Sequence, residues 1–76
     1  MRPSDLATIA RIRADLRSGA ASAVREAACV SATEMARAVG VSRQAVAAWE
    51  DGKSSPSAGN ALAYAKALAA VARPAA

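Results

Sequence analysis

The 76-residue chain reads as all-α on three observations. Twenty-four residues are Ala, the strongest helix former. No stretch alternates apolar and polar residues as a half-buried strand does, and β-branched residues do not come in runs. Apolar residues recur instead at helical spacing, in segments divided by Gly, Ser and Pro. Only sixteen Leu, Ile, Val, Met, Trp and Tyr side chains can build a core. Such a core supports at most about 3–5 kcal/mol of net stability, so help from a partner subunit is a reasonable expectation.

Each segment carries its own start and stop signals. The first helix begins at Pro3 or Ser4, with Asp5 in its first turn, where the helix dipole favours an anion. Leu6, Ile9, Ile12 (or Arg13) and Leu16 form its inward stripe, and Ser18-Gly19 ends it. A second helix fits Ala21 to Ala28, with Val24, Ala27 and Ala28 on its apolar side. Ser31 and Glu34 then make a capping box that opens a third helix, running to about Val39 with Met35 and Ala36 inward. Gly40 closes it. Ser42 caps a fourth helix that stops at Asp51-Gly52. After the turn-forming Lys53 to Ser57, a last helix runs to about Val71, with Leu62, Ala65 and Leu68 inward. Residues 73–76 are expected to fray.

The join Val39-Gly40-Val41-Ser42 is the sequence form of a helix-turn-helix, whose second helix suits the DNA major groove. Gly40 permits a left-handed turn, Ala36 is small enough for a close crossing, and Val41 and Val46 fill it from beneath. A generic helical hairpin uses the same turn. The wider window is more specific. Ser31 to Ala36, Val39 to Val46, Trp49 to Lys53, Pro56-Ser57, and Leu62 with Ala65 to Leu68 together resemble the lambda-repressor/Cro (XRE-type) helix-turn-helix family. The likeness spans roughly Val24 to Ala69. It implies a five-helix lambda-repressor-like fold, with the helix-turn-helix DNA-binding domain over residues 21–72 and residues 1–20 as an extra N-terminal helical extension.

Two departures stand out. The family often has Gln near the start of the third helix, where this chain has Ala32; that phosphate contact is absent, or Ser31 and Thr33 replace it. The family usually ends its first helix with Gly, where this chain has Cys29. Many members also carry a further helix after the position of Leu68, often used in dimerisation. The N-terminal helix here is expected to fill that space or to form the dimer contact.

The resemblance places residues 42–48 on the recognition helix, and side-chain chemistry refines the assignment. Arg43 can grip guanine O6 and N7, and Gln44 can grip adenine N6 and N7. Ala47 and Ala48 let the helix sink and can meet a thymine methyl. Phosphate contacts are expected from Ser31, Ser42, Lys53, Ser54 and Asn60, and from the backbone amides of Ala32 and Thr33. A phosphate contact or a solvated charge is the plainer role for Arg43, as is a solvated loop charge for Lys53. Arg25 and Glu50 resemble a family pair bridging the second and fourth helices. Trp49 is expected in the core and Tyr64 at its edge, with the hydroxyl in water.

Composition excludes other classes. The chain has no His and one Cys, which rules out His-based catalysis, a Cys/His zinc site and an intramolecular disulfide. It has no phosphate-binding Gly loop and no membrane span, and the first helix lacks a Trp or Phe membrane anchor. The net charge of +4 suits a polyanionic partner. The expectation is a cytoplasmic, non-enzymatic repressor of phage Cro type, binding double-stranded DNA as a homodimer, with no cofactor, small-molecule ligand or membrane partner. Its rivals are the antitoxin of a toxin–antitoxin pair and a protein-interaction module that does not bind DNA.

Overall fold

The structure, a computed structural model, describes residues 1–72. Five helices make up the fold: α1 (Pro3–Ser18), α2 (Ala20–Ala27), α3 (Ala32–Val39), α4 (Arg43–Glu50) and α5 (Ala58–Val71). Their boundaries follow the local signals to within about a residue. Ser31, Ser42 and Ser57 each accept a hydrogen bond from the amide three residues on, at 3.0, 3.1 and 3.3 Å. The Ser31–Glu34 box closes in both directions, with the Glu34 carboxylate accepting from the Ser31 amide at 2.9 Å. The expected fraying of residues 73–76 lies outside the described residues.

The helix ends show why the turns hold their shape. After α3, Gly40 takes a left-handed φ of 87°, and the Val41 amide turns back to the Ala36 carbonyl at 3.0 Å. A Cβ at Gly40 would touch nothing within 4 Å, so Gly is needed there for its backbone angle and not for space. The end of α2 uses the same device with a different residue. Cys29 sits at φ 61°, its amide bonds Glu26, and the Val30 amide reaches the Arg25 carbonyl at 3.1 Å. Cys29 thus takes a left-handed backbone angle that glycine would adopt without strain, and does so as a non-glycine residue.

A single core joins all five helices. Its buried residues are Ile9, Ile12 and Leu16 of α1, Ala21 of α2, Met35 and Ala36 of α3, Val46 and Trp49 of α4, and Ala61, Tyr64 and Leu68 of α5. α1 packs most extensively on α5 and also meets α2 and α4. It thus shares the core with residues 21–72 and does not stand apart as an extension. Among the described residues, α1 occupies the flank of α5 and closes the domain there.

Three sequence-based expectations need correction. Leu6 is 59 % exposed. The face defined by Ile9, Ile12 and Leu16 points toward position 5, and Leu6 lies about 90° around the helix from it. On α2, Ala27 is exposed and Val24 and Ala28 are half-buried, whereas Ala21 and Arg25 face inward. The helix is rotated so that the Arg25 guanidinium can reach polar partners below it. Tyr64 is fully buried, and its hydroxyl donates to Glu50 instead of reaching water.

Candidate nucleic-acid interface

Helix α4 follows α3 across only Gly40, Val41 and Ser42, and its inner side is fixed by Val46 and Trp49. The Trp49 and Tyr64 rings pack edge to face, with centroids 6.3 Å apart. With Val46 and Trp49 inward, the helical repeat turns Arg43, Gln44, Ala47 and Asp51 outward. Arg43, Gln44 and Asp51 are exposed, and Ala47 and Ala48 are half-buried. Among the described residues neither the Arg43 nor the Gln44 side chain has a hydrogen-bond or ion-pair partner.

The two helices of the motif differ electrostatically at their N-termini. α4 has no acidic residue in its first turn, so its positive dipole end is left uncompensated and Arg43 adds to it. The Ser42 hydroxyl accepts from the Ala45 amide, which leaves its own O–H free to donate. At α3 the Glu34 carboxylate partly offsets the dipole. Hydrogen bonds from the Ser31 backbone and hydroxyl hold its pKa below the usual carboxylate value. The capping box engages the Ser31 and Glu34 amides and leaves those of Ala32 and Thr33 as the unpaired first-turn donors. Ser31 and Thr33 are exposed, while Ala32 packs against the core.

The loop behind α4 is ordered by backbone bonds. The Lys53 and Ser54 amides both donate to the Ala48 carbonyl, at 2.9 and 3.3 Å. Those amides are committed, so only the exposed side chains of Lys53 and Ser54 can meet a ligand. Asn60 is half-buried, and its amide is engaged by the Ser57 cap. Only its side chain remains for a contact.

The opposite end of α4 is anchored by charge. The Arg25 guanidinium donates from Nε and one terminal nitrogen to the two carboxylate oxygens of Glu50, both at 2.8 Å. Its other terminal nitrogen donates to the Val30 carbonyl at 2.8 Å, just ahead of the α3 cap. The Tyr64 hydroxyl adds a third donor to Glu50 at 2.9 Å. Side chains of Arg25 and Glu50 are only 10 % and 9 % exposed. Burial alone would raise the Glu50 pKa, but the hydrogen bonds from Arg25 and Tyr64 and the Arg25 charge outweigh it and hold it down. Glu50 in turn raises the pKa of Arg25, and burial with the Glu50 bond raises that of Tyr64. No buried side-chain nitrogen or oxygen among the described residues lacks a partner. This joint ties α2, α4, α5 and the entry to α3, and so fixes the tilt of α4.

Sequence reasoning reached the Arg25–Glu50 pair through the family resemblance but missed two polar contacts. Tyr64 shares a helical stripe with Ala61 and Leu68, which is the signal for its burial. Arg13 donates twice to the Pro56 carbonyl, a tertiary contact that no local pattern announces.

No helix among the described residues is long and apolar enough to cross a membrane. Neither a curated protein nor a solved structure matches the chain. The model of a helix-turn-helix family matches residues 22–71, well over half of the sequence and the whole of α3 and α4. A tight Gly40 turn, a braced second helix and an open polar first turn are thus found in a chain that belongs to the XRE-type, lambda-repressor/Cro-like helix-turn-helix family of DNA-binding transcriptional regulators.

Proposed function

We propose that the chain is a sequence-specific repressor of Cro type that lays α4 in the major groove and acts by covering promoter DNA. The observation that supports this reading is the state of the first turn of α4. Arg43 and Gln44 are exposed and unpartnered, on a helix whose other end is held by three hydrogen bonds to Glu50. A fold that immobilises a helix and leaves its leading polar side chains free suits a task in which those side chains meet an external partner.

In this reading Arg43 and Gln44 read base edges, and Ala47 and Ala48 allow close approach and contact thymine methyls. Ser42, Lys53, Ser54, Asn60, Ser31 and the Ala32 and Thr33 amides grip phosphates and set register. Arg25, Glu50, Trp49 and Gly40 orient α4. A small buried core and one reading helix favour a homodimer on DNA, with half-sites about one helical turn apart.

Selection of bound duplexes from a random pool tests the proposal. A recovered palindrome with half-sites so spaced is the expected result. Arg43→Ala and Gln44→Ala should each weaken binding to the recovered duplex while circular dichroism stays unchanged. Sequence-blind binding that neither substitution alters would overturn it.

A further inference from the structure

The loop between α4 and α5 is held at two points. At its start, the amides of Gly52, Lys53 and Ser54 bond to the end of α4. Beyond Ser54 the loop's backbone has no such support: neither Ser55 nor Pro56 enters a backbone–backbone hydrogen bond among the described residues, and proline has no N–H to offer. Arg13 supplies the second hold from α1, forty-three residues away. Its Nε and a terminal nitrogen converge on the Pro56 carbonyl oxygen at 3.1 and 2.9 Å. Pro56 is buried and the contact is part-buried, so a charge-assisted bond is stronger there than in open water. The ion pairs among the described residues do not include Arg13, so no carboxylate draws it elsewhere. Lys53 and Ser54 close the first hold, and Ser55 alone separates them from the second.

We propose that Arg13 is the positioning residue of this loop: it fixes where Lys53 and Ser54 meet the DNA backbone, and so makes α1 part of the DNA-binding apparatus. The proposal rests on the DNA-binding reading above. Residues 1–18 precede the family match at 22–71, so the tether is a feature of this chain's own N-terminal helix.

The test uses the full chain, the duplex recovered by selection, and the variants Arg13→Lys, Arg13→Met, Lys53→Met and Arg13→Met with Lys53→Met. Arg13→Lys keeps the charge but has a single donor group in place of the planar fork. Both Arg13 variants should weaken duplex binding about fivefold, and Arg13→Met should add little once Lys53 is gone, as coupled sites do. Amides of Lys53 and Ser54 should exchange with solvent about tenfold faster in the free Arg13 variants, with the Val46 amide unchanged. Arg13→Lys carries the same readouts should Arg13→Met fail to fold.

Three results would overturn the proposal. One is wild-type affinity in Arg13→Lys. Another is unchanged exchange in the loop. The third is a loss that adds fully to that of Lys53→Met while the salt slope drops by about 1, which marks a direct phosphate contact. A wild-type chain that binds no duplex, yet shows the exchange contrast, would instead sink the DNA-binding reading and the proposal's role for the loop with it.

Discussion

The two ends of α4 both carry polar side chains and use them in opposite ways. At the C-terminal end Glu50 is buried and takes two bonds from Arg25 and one from Tyr64. At the N-terminal end Arg43 and Gln44 are exposed and bond to nothing among the described residues. One end answers the question of where the helix lies, the other what it can touch. The difference teaches that the polar residues of a small domain divide by burial into those that define the fold and those left for a partner. It also predicts that substitutions at the two ends fail in different assays.

The largest effect is expected at the buried end. Removing one partner of a desolvated ion pair costs about 3–5 kcal/mol, because the remaining charge is left uncompensated. That is comparable to everything so small a core supplies. Arg25→Met should therefore be largely unfolded at 25 °C by circular dichroism. A cooperative melt near that of the wild type would erase the distinction between the two ends.

Next come Arg43→Ala and Gln44→Ala. Each should leave the unfolding free energy within about 0.5 kcal/mol of wild type. Each should weaken binding to the selected duplex by about 1–3 kcal/mol, read by fluorescence anisotropy, and relax preference at one base position. A drop in melting temperature without loss of specificity would put these residues on the structural side of the comparison.

Tyr64→Phe probes the buried end more gently. It deletes one of the three bonds to Glu50 and should cost about 1 kcal/mol in urea unfolding. Acidity probes the same group. The folded-state pKa of Glu50 lies below the ordinary 4.5, so the unfolded chain takes up its proton first. The pair's contribution is full above that value and is lost as pH falls through and below it. Tyr64 has the opposite sign: its pKa is raised above 10.0, so its contribution is present below that pH and declines above it. Stability measured across pH should therefore hold a plateau between these limits, and the acid limb should shrink in Tyr64→Phe.

The smallest effect belongs to Asp51. It is exposed and follows Ala47 by one turn on the outward face of α4, where its carboxylate repels a phosphate backbone. Asp51→Asn should improve duplex affinity about twofold at low salt, with the gain disappearing at high salt. Unchanged binding at low salt would show that the DNA-facing surface does not extend so far along the helix.

What was legible in the sequence divides along a physical line. Helix starts and stops are local chemistry: Ser31, Ser42 and Ser57 cap, Glu34 completes a box, and Gly40 turns, all within four residues of their partners. These could be read without knowing the fold. The exposure of Arg43 and Gln44 followed from Val46 and Trp49 taking the inner side. Rotation of a helix about its own axis was harder. A short apolar stripe tolerates a shift of one position, which is how the sequence pattern puts Leu6 and Ala27 inward although both are exposed. Long-range polar partners lay furthest out of reach. The Tyr64 hydroxyl and the Arg13 guanidinium find Glu50 and Pro56 only after the helices have packed.

The core begins earlier in the chain than the family likeness does. Four of the eleven buried apolar residues, Ile9, Ile12, Leu16 and Ala21, precede the matched stretch. A chimera that borrows this protein's reading head by cutting at the homology boundary would leave behind a wall of the oily interior and the Arg13 tether together. The portable unit is longer than the recognisable one, and a graft that begins at Pro3 is the shortest that carries its own scaffolding.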